Sequence, residues 1–120
     1  MDRVNGSVHG EPFSASVSSA GNGARLIVLS GEIDLAVVDD LRLLLAADGN
    51  VVVDLAAVTF IDSSGIAALL AAHRRQQTSG HSLWVQGAHG PVSRVLEITG
   101  TDSVLRPALE RYYALPPSTS

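Results

Sequence analysis

A chain of 120 residues with 46% hydrophobic and 17% charged residues, no cysteine and a formal charge of -4 is sized for one compact soluble domain. Without thiols it has no disulfide framework, no CxxC redox pair, no thiolate nucleophile and no cysteine-rich metal site. Its cations are arginines scattered along the chain, with Arg74-Arg75 the one adjacent pair, so the dense basic face that nucleic acid requires is missing; its most apolar runs, Leu41 to Ala47 and Gly65 to Ala72, fall far short of the roughly 20 residues of a membrane span.

Residues 1–12 are polar and glycine-rich, carry no apolar segment that would serve as a signal peptide, and are expected to be loose. The expected location is the cytoplasm. A folded domain is expected over 13–115, with 116–120 a flexible tail. Ala15–Ser18 and Arg25–Ser30 read as two strands joined at Gly21-Asn22-Gly23, a hairpin. The second of them, RLIVLS, lacks polar alternation and so is expected to be covered on both faces.

From Val37 the period changes. Val37, Leu41, Leu44 and Leu45 form one apolar stripe of an amphipathic helix, with Asp34 placed to cap its start and Gly49-Asn50 at its end. Val51–Leu55, VVVDL, is a second uninterrupted strand, followed by a loop. Ser64–Gln77 is a second helix with Ile66, Leu69, Leu70 and His73 at helical spacing, stopping near Gly80. Leu83–Val85 is a short strand, its Trp84 read as packing. Pro91 opens a third helix whose stripe is Val92, Val95, Leu96 and Thr99 and whose stop is Gly100. Val104–Arg106 is expected as a last short strand, before a helical turn around Tyr112 and Tyr113. Strands and helices alternating after an initial hairpin predict an α/β fold: a mixed sheet of four to five strands packed with three to four helices.

The segment that carries chemistry is Asp54–Leu70, DLAAVTFIDSSGIAALL. A buried strand leads into Asp62, Ser63, Ser64 and Gly65 where the second helix begins, and any of the first three can accept a hydrogen bond from a free N–H of the first turn. Taken alone, this is an N-cap cluster. A serine at this place also stands at an exposed end of the sheet, and a phosphate on it would add about -1.5 to -2 charges that the helix dipole accommodates but a docking partner would not.

The pieces LSGEID at Leu29–Asp34, VVVDLAAVTFIDSSGIAALL at Val51–Leu70, Gly80 before a strand, and PVSRVLEITG at Pro91–Gly100 together resemble a STAS-domain anti-anti-sigma factor, or anti-sigma factor antagonist. The resemblance covers nearly the whole chain. It implies a protein that binds an anti-sigma factor of the histidine-kinase-like ATPase type, itself a serine kinase, and so releases a sigma factor. It further implies phosphorylation of the serine directly after the aspartate, Ser63, with Ser64 the second choice, and restoration by a PP2C-type phosphatase. Asp62, Ser64 and Gly65 form the loop and helix start around that serine. Glu32 and Asp34 align with acidic positions that help engage the partner; capping alone is an equal reading of Asp34. ATP and magnesium would come with the kinase, so no cofactor of this chain is expected. The usual long final helix of the family is expected to be truncated, with Pro107 near its start.

Strand, turn, serine and helix also describe the nucleophile elbow of a serine hydrolase, but neither I-D-S-S-G around Ser63 nor D-S-S-G-I around Ser64 fits GxSxG, and His9, His73, His81 and His89 do not occupy a triad's place. No enzyme is therefore expected. His81, His89 and Asp102 match no zinc spacing, and Gly21, Gly23, Gly87 and Gly90 lack both GxGxxG and the Walker lysine. The competing reading inside the same fold is a non-switching STAS accessory subunit of a lipid-transport ABC system, or a scaffold of a stress-signalling complex.

Overall fold

A computed structural model describes residues 11–20 and 23–105. Four strands lie in the order β1 (Ser14–Ser19), β2 (Arg25–Ile33), β3 (Val51–Ile61) and β4 (Leu83–Gln86). β1 pairs with β2 antiparallel, with Ser19 opposite Arg25, as the hairpin reading requires; β2–β3 and β3–β4 are parallel, so the sheet is mixed. Parallel neighbours need crossovers. The first is the 3-10 turn Leu35–Val37 running into helix α1 (Val38–Leu45), and the second is helix α2 (Ser63–Thr78). Helix α3 (Gly90–Ile98) follows β4.

Helices α1, α2 and α3 bury their apolar stripes on the same face of the sheet. Val38, Leu41 and Leu45 of α1, Ile66, Ala68, Leu69 and Ala72 of α2, and Val92 and Leu96 of α3 form one core with Ile27, Leu29, Val51, Val53, Leu55, Leu83 and Val85. The alternate strand residues Val52 and Trp84 point the other way and form a second, smaller buried cluster with Ala24. The uninterrupted apolar runs Val51–Val53 of β3 and Leu83–Val85 of β4 thus follow from burial on both faces. RLIVLS of β2, by contrast, is not covered as expected: Ile27 and Leu29 are buried against the helices, but Leu26 and Val28 on the other face are only half-buried because the helix-free face carries no covering layer there.

Two strands run further than their sequence signal. β3 continues through Ala56–Ile61, the segment read above as a loop, because β2 itself continues through Gly31–Ile33 and offers it a partner along the whole length. The pairing slips twice, between Val28 and Ser30 and between Gly31 and Glu32, and each slip admits one extra residue in β3. Alternation is broken at each slip, and with it the period by which a strand is recognised in sequence. Gly31 adopts a left-handed φ of +83°, and a Cβ there would run into the backbone carbonyl of Pro12.

The expected strand at Val104–Arg106 is overturned. Residues 101–105 are helical, with Thr101 and Leu105, four apart, both buried and Ser103 and Val104 exposed. Thr99 closes α3 by donating from its hydroxyl to the Val95 carbonyl, and the chain re-enters a helix after Gly100 at φ +76°. Arg106 and the turn around Tyr112 and Tyr113 lie outside the described residues.

The far end of α2 is tied down by its own polar side chains. Arg75 donates to the Leu45 carbonyl (2.6 Å), Gln76 to the Gly49 carbonyl, and His73 Nδ1 faces the Leu83 carbonyl at 3.3 Å. His73 is buried and belongs to this packing.

Candidate functional site

The parallel pairing of β2 and β3 decides the site. Ile33 stands opposite Ile61, so the residues that follow them, Asp34 and Asp62, leave the sheet side by side at the same end. The Asp62 N–H donates to the Ile33 carbonyl (3.1 Å), and the Asp62 carboxylate also accepts from the Leu35 N–H. Two loops 28 positions apart in sequence are clipped together by one residue.

Asp62 is the N-cap of α2. Its backbone is extended (φ -107°), and Oδ1 accepts from the N–H of Ser64 (2.9 Å), the N–H of Gly65 (3.2 Å) and the hydroxyl of Ser64 (2.6 Å). Partial burial raises its pKa, but the hydrogen bonds from the Ser64 hydroxyl and from the Gly65, Ser64 and Leu35 N–H groups outweigh it and hold the carboxyl below the usual aspartate value. Of the three residues able to cap, the structure uses Asp62.

That choice separates the two serines. Ser64 is half-buried and its hydroxyl is committed to Asp62. Ser63, the first residue of the helix, is exposed, and its hydroxyl makes no hydrogen bond among the described residues. Gly65 is buried: a Cβ there would stand 2.7 Å from Ile33 Cγ2 and 2.8 Å from Ile61 Cγ1. Its part is to let the helix start settle onto the ends of β2 and β3, and it presents no side chain to a partner.

Asp34 caps the 3-10 turn, accepting from the Ala36 N–H at 3.0 Å, and is half-buried with its carboxylate at the same end as Asp62. Glu32 is half-buried in the last turn of pairing before it, its N–H donating to the Glu11 carbonyl (3.1 Å). Two apolar residues complete the surface and were not legible as site residues. Leu35, 72% exposed, and Phe60, 45% exposed, flank the acidic loops on either strand end. Phe60 points outward between the buried Val58 and Ile61, a direction that follows only from β3 extending to Ile61.

No catalytic partner meets the serines among the described residues. His73 faces the Leu83 carbonyl, and His89 Nε2 lies 2.9 Å from the Ala56 carbonyl. His81, His89 and Asp102 do not gather: no group of three or more potential ligands that could hold a metal exists among the described residues. None of the described helices is long and apolar enough to cross a membrane.

A family model described as "Mlab, STAS domain" matches residues 16–107, most of the chain. The chain belongs to the STAS-domain family. No curated protein matches the sequence. Among solved structures, this STAS domain is similar to an anti-sigma factor antagonist from Mycobacterium paratuberculosis, at 26% identity and a TM-score of 0.70 over 79% of this chain and 84% of that one. It shares its fold with the Bacillus cell fate determinant SpoIIAA in its phosphorylated form (17% identity, TM-score 0.62, 82% and 99% covered). The same holds for a STAS-domain antagonist from Rhodobacter sphaeroides (23%, 0.52, 62% and 86%).

Proposed function

We propose that this STAS domain is an anti-sigma factor antagonist whose binding surface is the end of the sheet carrying Glu32, Asp34, Asp62 and Ser63. It binds an anti-sigma factor of the histidine-kinase-like ATPase type and so frees a sigma factor in the cytoplasm. That partner, acting as a serine kinase, transfers the γ-phosphoryl group of ATP to Ser63 Oγ, which loses its proton as ADP leaves; a PP2C-type phosphatase hydrolyses the ester and restores the binding form. The chain is the phosphoacceptor and performs no catalysis.

The observation that carries the reading is the division of labour between the serines. Ser64 Oγ is spent on the cap, whereas Ser63 Oγ is exposed on the first residue of a 16-residue helix. A phosphate there sits at the positive end of the helix dipole, so the fold tolerates it. It nevertheless adds about -1.5 to -2 charges beside the carboxylates of Asp62 and Asp34. A partner surface built to meet Leu35 and Phe60 among a few carboxylates is then repelled, and binding is lost with no unfolding. In support, the Mycobacterium paratuberculosis structure, an antagonist, is matched over most of both chains.

The test is incubation with the histidine-kinase-like anti-sigma factors of the same genome and ATP, with phosphate mapped by mass spectrometry. Phosphate is expected on Ser63. Ser63→Ala should keep partner binding and block modification, while Ser63→Glu should weaken binding; equal binding by both variants refutes the switch. The family model's description, Mlab and not an antagonist, favours a second reading, a non-switching accessory subunit or scaffold. Absence of phosphate on Ser63 and Ser64 with every such kinase would select it.

A further inference from the structure

β1 forms one edge of the sheet, and all six of its residues, Ser14–Ser19, are exposed. Natural edge strands are blunted by charge, proline, a bulge or brevity. β4, at the other edge, is only four residues long. β1, SASVSS, carries no charge and no proline, and it pairs with β2 in unbroken register over its whole length. The chain also enters β1 along the line of β2, since the Glu11 carbonyl accepts from the Glu32 N–H. Its outer row of N–H and C=O groups therefore meets no strand among the described residues.

We infer that β1 is the interface of a homodimer, in which it pairs antiparallel with β1 of a second copy to make one continuous eight-stranded sheet. The strand is complementary to itself. A two-fold axis perpendicular to the sheet keeps faces matched, so Ser14, Ser16 and Ser18 meet serines of the other copy on the helix-free face, where Ser14 already shares a 2.6 Å hydroxyl contact with Ser30. On the helix-bearing face Val17, 44% exposed although it stands beside buried Ile27, meets Val17 or Ala15 of the other copy. The strand's neutrality matters in a chain of net charge -4, because this is a place where two copies approach without bringing like charges together. Antiparallel pairing points the two Asp62–Ser63 ends in opposite directions and leaves both open, so the inference is independent of the proposed switch.

The experiment uses the full chain in sedimentation velocity and light scattering over a concentration series. The expected result is a reversible monomer–dimer equilibrium. Val17→Lys, which sets like charges across the axis, should weaken it by about tenfold or more, as should Val17→Glu, and an equimolar mixture of the two should dimerise again; Leu43→Lys, on the exposed face of α1, should leave it unchanged. Circular dichroism checks that the variants are folded. Should a variant fail to fold, amide exchange of the wild-type chain decides: protection at 14–19 must rise with concentration. A monomer at every concentration, a dimer indifferent to both Val17 substitutions, a mixture that fails to dimerise, or dimerisation with no added protection at 14–19 overturns the proposal.

Discussion

Replacing Asp62 by alanine removes one carboxylate and, with it, acceptors for four donors: the N–H groups of Ser64 and Gly65, the Ser64 hydroxyl and the Leu35 N–H. Losing an N-cap costs about 1 kcal/mol. The hydroxyl and Leu35 bonds, both to a charged acceptor in a half-buried site, add about 1.5 kcal/mol together after water re-solvates part of what is left. The expected loss is about 2.5 kcal/mol, which for a domain of this size lowers Tm by about 10 °C. Asp62→Asn keeps an acceptor oxygen of good capping geometry and should lose only about 1 kcal/mol. Urea denaturation followed by circular dichroism measures both.

The same carboxylate gives a pH signature. Its folded-state pKa is depressed, so its stabilising contribution is complete above the ordinary aspartate pKa and is lost as pH falls through the lower, folded-state value. The gap between wild type and Asp62→Ala should be constant near neutrality and close in acid, while Asp62→Asn shows no such closing. Asp62→Ala within about 0.5 kcal/mol of wild type at pH 7, or Asp62→Asn as damaging as Asp62→Ala, would refute the capping argument.

Three further outcomes follow from the geometry. Gly65→Ala forces a Cβ against Ile33 and Ile61 and should destabilise by about 1–2 kcal/mol in spite of alanine's better helix propensity, read by the same urea titration. Gly31→Ala meets both a left-handed φ and the Pro12 backbone, so its cost should be larger, about 3 kcal/mol, with amide exchange of 11–14 accelerated in native conditions. The double substitution Leu35→Ala, Phe60→Ala removes exposed side chains and should leave Tm within about 2 °C of wild type while weakening capture by the kinase partner in a pull-down or titration.

Much of the core was written in local period. Leu41 and Leu45, Ile66 and Leu69, and Val92 and Leu96 recur at helical spacing, and each pair is buried where its stripe predicts. The unbroken β-branched run at Val51–Val53 likewise is buried on both faces of the sheet. Local period failed where pairing overrode it. The two slips between β2 and β3 scramble alternation through Ala56–Phe60, so a strand looked like a loop. Val104–Arg106, a short segment with Val and Leu, looked like a strand, and only the joint burial of Thr101 and Leu105 reveals that 101–105 is helical.

The candidate site divides in the same way. Sequence alone determined that a DSSG cluster opens a helix and that Asp34 is a cap, because capping is a chemistry of neighbours two and three residues apart. The element Asp34 caps is the 3-10 turn Leu35–Val37, and α1 itself starts at Val38 with no side-chain cap. Sequence also left three residues as equal caps and gave Leu35 and Phe60 no role. Tertiary structure decided the rest through contacts no local pattern encodes: the register that sets Ile33 beside Ile61 brings Asp34 to Asp62, and Asp62's capture of the Ser64 hydroxyl leaves Ser63 as the exposed one. The physical reason is that a hydrogen bond between loops depends on where parallel strands end, and strand ends are fixed by pairing across the sheet.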